Sequence, residues 1–572
     1  MGIPSYFSYI IRNHGNIIKS RRGVLSRMTS IYLDCNSIIY DSLRQIQEAQ
    51  TKDLNIEISV INMVIKKIRS YISAINPSNV VYIAFDGVAP LAKMEQQRIR
   101  RYKTGYLASI DFWKDGSGES AAPESVNPWS TSAITPGTAF MDMLSIRIKM
   151  EFENASLGAK TVIVSASDEA GEGEHKMFQY MRDNALQNET IAVYGLDSDL
   201  IMLSLFHCFA CENIYIFREA PAFGKFIEEK FQSDELIYLD HRALSKAILR
   251  EMGITATVTT QTGIAGTQTG IAGTERDEAR MRIYDYIFMC FLLGNDFLPH
   301  FPSLNIRTHG NATILETYKR VIGCRADRRF IGIESGNIQW RWVKLFLCEL
   351  AKDESRSILS EYESRHKMEK RFYPTTKKEE RETAFDNIPV IYRAEEHYIN
   401  PSEPGWDSRY YRVAFHLDEA PSKSFVESVC INYLEGLEWV FRYYTEGCPH
   451  WRWKYQFHYP PLFNDLVKHI PDFETNFIND RIGINKPFHP YTQLCYVIPK
   501  WNHEKVLPKK ALKIASKNAG RYVDMKDLKF QWMFCRYFWE SHALLPEMPL
   551  KLLEEIDAKF ESAPSRAKIS EH

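Results

Sequence analysis

The chain has 572 residues, 45% of them hydrophobic and 13% aromatic, so more than one domain and large packed cores are expected. Lys and Arg number 71 against 72 Asp and Glu; the resulting net charge of −1 excludes a uniformly basic nucleic-acid coat while leaving room for local basic patches. No run of eighteen apolar residues is present, so no membrane span is expected, and the first residues, MGIPSYFSYI, lack a secretory pattern; Tyr6 argues against myristoylation of Gly2.

Three short apolar runs in chain order read as buried strands: SIYLDCN (30–36), NVVYIAFDG (79–87) and KTVIVSASD (160–168). A fourth, TIAVYGLDSDLIML (190–203), begins as a strand and continues past its acids. Helical periodicity lies between them, as in 58–75. The alternation predicts an α/β domain with a central, mostly parallel sheet. Residues 107–139, rich in Ser, Gly, Ala and Pro, read as an irregular loop. Residues 255–275 contain QTGIAGT twice and read as a flexible insertion with no functional reading. The charged stretch 367–382 reads as helix or linker, and after about 395 the composition turns strongly aromatic, extreme at 441–463. The expected division is a nuclease-like unit at 1–330, a helical connector at 331–394 and a second, mainly helical region at 395–572 packed on the first.

The ten cysteines have no regular spacing and read as reduced thiols of an intracellular protein; of the intracellular compartments the cytoplasm is the expected one, with the nucleus as the alternative. Cys208 and Cys211 form a lone C-x-x-C; without a second pair they read as strand-end residues rather than a zinc site.

Acids arrive repeatedly at strand ends. Asp34, Asp86, Asp197 and Asp199 fall at or just after the C-terminal ends of the apolar runs, the edge where open α/β sheets bind ligands. Glu172 and Glu174, one residue apart among glycines, and Asp296, after the apolar run YIFMCFLLGND, complete a set of seven. An isolated E-x-E usually marks a solvated turn. Here the set carries the signal, because seven converging carboxylates require cations. Oxygen-only ligands suit two Mg²⁺ ions, or Mn²⁺, and two-metal phosphodiester hydrolysis.

A second constellation follows Asp86. Pro90 suits a first helical turn. Lys93, Gln97, Arg100 and Arg101 then share one helical face, either a solvated basic face or a phosphate pocket. The first 33 residues lack Asp and Glu but carry Arg12, Lys19, Arg21, Arg22 and Arg27, which suits a nucleic-acid backbone. The aromatic second region offers surfaces for base stacking.

These motifs together resemble the Xrn-type 5′→3′ exoribonucleases. The likeness rests on MGIPSYFSYI, DCNSIIY, FDGVAPLAKMEQQRIRRY, ITPGTAFM, GEGEHK, YGLDSDLIML and FLLGNDFLPHFPSL, in the family's order, and on YLEGLEWVFRYYTEGCPHWRWKYQFHYPPL, PFHPYTQL and WESHALLPEMPLKLLEE further on. The resemblance implies a PIN-like nuclease domain whose metal ligands and catalytic acids are Asp34, Asp86, Glu172, Glu174, Asp197, Asp199 and Asp296. It implies that Lys93, Gln97, Arg100 and Arg101 bind the 5′-monophosphate of single-stranded RNA. It also implies that the second region narrows access to the site and that Trp539 stacks on bases.

Tyr40 stands where the family usually has a base-stacking His, and Ala170 where it more often has Pro. A long C-terminal extension and a zinc knuckle are not expected in this compact, monomeric version. The activity expected is processive, metal-dependent 5′→3′ degradation of RNA to nucleoside 5′-monophosphates. The alternatives are a flap-type 5′ DNA nuclease and a catalytically inactive RNA-binding scaffold.

Overall fold

The computed structural model describes all residues except 1–2, 4–5, 25–26, 50–54, 111–128, 185, 196, 221–230, 232–234, 255–270, 334, 479–482 and 562–572. The repeated QTGIAGT therefore lies outside the described residues except at its end, where 271–275 open a helix.

Seven strands form one sheet: β1 (Ile18–Ser20), β2 (Ser30–Asp34), β3 (Val80–Ala84), β4 (Thr161–Ser165), β5 (Thr190–Tyr194), β6 (Asn213–Glu219) and β7 (Leu236–Asp240). Their spatial order is β1-β7-β6-β5-β2-β3-β4. The five strands from β6 to β4 are parallel, while β7 and β1 add an antiparallel edge. β3 and β5 are buried along their whole length, which is why they read as unbroken apolar runs.

Alternate side chains serve opposite faces. On β3, Val80, Tyr82 and Ala84 enter one core cluster, whereas Val81 and Ile83 enter another. Helices α2 (Asn36–Glu48), α3 (Ile56–Ile75) and α5 (Ala139–Phe152) cover the second face. Asn55 caps α3 by accepting from Ile58 N, and Thr138 caps α5 by accepting from Met141 N. Helices α6 (Gly173–Asp183), α7 (Asp199–His207) and α9 (Ile271–Cys290) cover the first face; α8 (His241–Glu251) lies beside α9.

The first cluster runs on through α10 (Trp340–Lys352) and α13 (Lys423–Thr445) to Ile478. The sheet and the aromatic second region thus share one core. Within the latter, Trp439 and Trp340 are fully buried. Helices α11 (Glu354–Glu369) and α12 (Ala394–Ile399) flank this core, and a short hairpin of β8 (Lys529–Gln531) and β9 (His542–Leu544) carries the turn that contains Trp539.

The structure corrects three local expectations. Residues 107–110 are not loop but the end of helix α4 (Leu91–Ile110), and helix resumes at Ala139. Pro90 precedes α4 rather than sitting in its first turn: its carbonyl accepts the bond from Met94 N. Cys208 caps the end of α7, so only Cys211 lies near a strand start. Both thiols are buried and free.

Candidate active site

Strand order decides where the acids meet. β2 is flanked by β5 on one side and β3 on the other, so the order reverses there, the position at which open α/β sheets bind ligands beyond the C-terminal strand ends. Asp34 ends β2, Asp86 follows β3 by two residues, Asp197 lies between β5 and α7, and Asp199 opens α7. Neighbouring strands with near-aligned ends bring these acids to one edge.

Two loop contacts add the glutamates. Gly87 N donates to Gly171 O at 2.9 Å, and Gly171 N donates to Val88 O at 2.8 Å, tying the chain after Asp86 to the chain before Glu172. A side chain at Gly87 would place its Cβ 1.7 Å from Glu169 O, so this approach requires glycine. Glu172 caps α6 and Glu174 lies in its first turn. Gly173 N between them donates to Asp86 Oδ1 at 2.7 Å. A Cβ on Gly173 would sit 3.2 Å from Asp34 Oδ1 and 3.5 Å from Asp86 Oδ1, which measures how closely the carboxylates gather.

Glu172 is 3% exposed and Glu174 7%, so this E-x-E is not a solvated turn. Burial of like charges has the expected electrical consequence. Burial, then Asp86, raises the Asp34 carboxyl to about 8. Burial, then Asp197 and Asp296, raises Asp199 to about 7. Burial also drives Glu174 well above the carboxylate range, with Asp199, Glu172 and Asp197 adding to the rise. All seven acids are thus linked electrostatically, including Asp296, which arrives beyond α9.

Lys93 partly offsets this charge. Its ammonium lies 2.6 Å from Glu172 Oε2 and 2.9 Å from Asp296 Oδ2. Burial would lower its pKa, but Asp296, Glu172, Glu174 and Asp199 raise it well above the ordinary value. The donor set is dominated by carboxylate oxygens, which outnumber the buried lysine among them and fit hard divalent cations. Glu172, Glu174 and His175 already converge closely enough to share an ion. Burial holds His175 neutral, and its ring stacks on Tyr443 with centroids 3.7 Å apart.

The four residues of α4 separate into two environments. Lys93 and Gln97 are buried, Arg100 is exposed and Arg101 is intermediate. Lys93 therefore sits inside the acidic cluster, and Gln97 accepts from Gln493 Nε2 at 3.3 Å. Arg101 Nη1 is buried without a partner, an orphaned donor suited to an anion. Burial lowers the Arg101 guanidinium to about 10, against the opposing influence of Tyr40, which therefore lies nearby. Tyr40 is 40% exposed and Trp539 37%. At the other end of the chain's basic stretch, Lys19 is paired with Asp240 at 2.5 Å, while Arg12, Arg21, Arg22 and Arg27 are exposed.

Several supporting residues were not expected from sequence. Asn36 Nδ2 donates to Asp86 Oδ2, and Asn36 Oδ1 accepts from Asp86 N at 3.1 Å. Tyr443 donates to Glu172 Oε1 at 2.7 Å and Tyr444 to Asp199 Oδ1 at 2.8 Å, both from α13. The aromatic composition of this region marks rings for stacking; the hydroxyls of Tyr443 and Tyr444 are the part that reaches the acids.

Trp539 is held from two sides. Lys103, on α4, donates to Trp539 O at 2.7 Å and to Ser541 O. The Arg307 guanidinium lies 5.8 Å from the Trp539 ring and 5.6 Å from the Tyr537 ring, with the two rings stacked 5.9 Å apart. Arg307 also pairs with Glu540 at 2.6 Å.

Comparison with known proteins agrees with this architecture. Residues 1–220 match the family profile described as XRN 5'-3' exonuclease N-terminus, and 277–397 and 392–565 match the Xrn1 helical domain. The 5'-3' exoribonuclease 2 homolog of Drosophila melanogaster is 26% identical, the alignment covering 97% of this chain and 70% of that protein. The 5'-3' exoribonuclease 1 of Saccharomyces cerevisiae is 26% identical over 89% of this chain and 40% of its own length; that of Homo sapiens is 27% identical over 87% and 30%. Both conserved regions are present in order on a PIN-like nuclease sheet, and the chain belongs to the XRN 5'-3' exonuclease family.

Proposed function

We propose that the chain is a 5′→3′ exoribonuclease that degrades 5′-monophosphorylated single-stranded RNA processively to nucleoside 5′-monophosphates. The observation that carries this reading is the gathering of seven carboxylates at one sheet edge, with the unpartnered Nη1 of Arg101 on the adjoining helix.

Asp34, Asp86, Glu172, Glu174, Asp197, Asp199 and Asp296 would hold two magnesium ions, with manganese as the alternative. The ions supply positive charge for the scissile phosphate and an activated water. The chain's own residues do the rest. Asn36 and Gly173 N fix both oxygens of Asp86, and Tyr443 and Tyr444 orient Glu172 and Asp199. Lys93, Gln97, Arg100 and Arg101 bind the terminal 5′-phosphate; a capped or triphosphate end is too large for that pocket. Tyr40 and Trp539 stack on bases, Tyr40 without the charge a histidine can carry. Residues 1–330 act as the nuclease unit, 331–394 as the helical connector and 395–572 as the part that closes the site over an unpaired strand. The working form is a monomer. No described helix is long and apolar enough to cross a membrane.

The test is degradation of single-stranded RNA bearing 5′-monophosphate, triphosphate or hydroxyl ends, with and without EDTA, beside a DNA flap substrate. The reading requires monophosphate RNA to be consumed fastest and EDTA to stop it. Preference for the flap, or undiminished turnover in EDTA, overturns it.

A further inference from the structure

Outside the acidic centre, one other cluster among the described residues has the donors and spacing of a metal site. His366 and Glu369 stand three apart on the last turn of α11, on one face. His397, from α12, completes the group. His397 Nε2 lies 2.7 Å from Glu369 Oε1, and His366 Nδ1 lies 3.1 Å from Glu369 Oε2. One ligand atom from each residue falls within 4.8 Å of the others. Tetrahedral ligands 2.0–2.1 Å from zinc are about 3.3 Å apart, so small side-chain rotations convert these contacts into a coordination sphere.

We propose that His366, Glu369 and His397 bind a Zn²⁺ ion at the surface of the second region. Two imidazoles and one carboxylate are the donor set of three-ligand zinc sites with a fourth position open to water. Two imidazole nitrogens disfavour magnesium, so this site and the centre of seven carboxylates differ in the ions they favour. The flanking groups are those that orient metal ligands. Tyr362 Oη lies 3.1 Å from His397 Nδ1, the ring nitrogen that points away from Glu369. Arg393 Nη1 donates to Glu369 Oε2 at 3.1 Å and fixes the carboxylate. The charge of Arg393 is met by Glu396, 2.6 Å from its Nε, and Glu396 also pairs with Arg365 at 2.6 Å. The side chains of His366 and His397 are 44% and 41% exposed, which gives the ion a path in.

The alternative is an ordinary pair of histidine–glutamate contacts. Neutral rings donating N–H to the carboxylate would make the same contacts, whereas zinc takes a lone pair from each neutral ring, so metal affinity separates the two readings. The position also has a structural consequence. Arg365 donates to Cys535 O at 2.8 Å, and Glu396 accepts from Phe534 N at 2.9 Å. An ion joining α11 to α12 therefore clamps the charge network beneath the hairpin that bears Trp539. The inference stands independently of the RNA reading.

The experiment uses the full chain, stripped by chelator and titrated with Co²⁺ as a spectroscopic probe, then with Zn²⁺ as competitor in millimolar Mg²⁺. The expected result is one equivalent of cobalt with the intense visible absorption of a four-coordinate site, displaced by zinc and unaffected by magnesium. His366→Gln and His397→Gln each weaken binding at least tenfold, and His309→Gln, a control at an exposed histidine outside the cluster, does not. Absence of that absorption in the parent chain, or affinities unchanged in both site variants, overturns the proposal.

Discussion

The Tyr443 hydroxyl donates to Glu172 Oε1 across 271 positions of sequence, joining a helix of the second region directly to the acidic centre. Tyr444 makes the matching bond to Asp199. Both acids are buried, so each lone pair must find a partner inside the protein. The second region therefore does more than cover the sheet: it fixes the aim of two carboxylates.

Tyr443→Phe removes one such donor while keeping the ring that stacks on His175. Hydrogen bonds to charged groups are worth about 1.5–3 kcal/mol. The expected result is a fall in kcat of roughly ten- to a hundredfold with little change in the thermal midpoint. Steady-state kinetics on 5′-monophosphorylated RNA at saturating Mg²⁺ measures it; an unchanged kcat means the bond is structural only.

Asp86 has both carboxylate oxygens tied, to Gly173 N and Asn36. Asp86→Ala is expected to lower turnover by at least about a thousandfold, a loss of roughly 4 kcal/mol in the barrier. Raising Mg²⁺ should not restore it. Full activity at any Mg²⁺ concentration would remove Asp86 from the metal site.

Arg100 and Arg101 carry the expected selection of the 5′ end. The double Arg100→Ala, Arg101→Ala variant should consume monophosphate and hydroxyl RNA at equal rates, mainly by losing the former. Competition between the two substrates in one tube reads the ratio directly. A preserved preference would move the phosphate pocket away from α4.

Arg307 reaches Trp539 through its ring face and Glu540 through its guanidinium. A cation–π contact of this kind contributes about 0.5–2 kcal/mol. Arg307→Ala should therefore reduce processivity severalfold, less than Trp539→Ala, and increase acrylamide quenching of tryptophan fluorescence. Equal processivity in the parent and both variants would mean that neither residue guides the strand.

Glu354 gives the fold a pH dependence of known sign. It is buried and accepts from Phe463 N at 2.6 Å and from Asn464 N at 3.0 Å. Burial raises its carboxyl to about 7 in the folded chain, outweighing those bonds, from an ordinary 4.5. The folded state thus holds the proton more tightly between those two values, so stability declines as pH rises from about 4.5 to about 7 and levels off above. The shift is on the order of 3 kcal/mol. Thermal midpoints at pH 5 and pH 7.5 should differ less in Glu354→Gln than in the parent chain, whatever the substitution does to absolute stability.

Much of this was legible before any coordinates. The strand runs at 30, 79, 160 and 190 begin within a residue of where β2, β3, β4 and β5 begin; for β3 and β5 the reason is burial along the whole strand, which leaves the apolar sequence unbroken. The seven acids could be collected because strand ends and glycine-rich turns mark the binding edge of a parallel sheet. The end of α4 is hidden in the sequence because its last turn runs straight into the Ser-, Gly-, Ala- and Pro-rich stretch that follows, while packing holds the helix: Gly105 admits Trp501, whose ring would lie 2.7 Å from a Cβ there.

Chain order alone fixed which residue types reach the sheet edge, since side-chain period and turn chemistry are local properties. Only the tertiary structure decided their partners. Lys93 lies among the acids while Arg100, about two turns further along the same helix, lies in solvent, and the hydroxyls of Tyr443 and Tyr444 meet acids more than 240 positions away. Burial and charge compensation depend on what packs against a residue, and that is set by the whole fold at once.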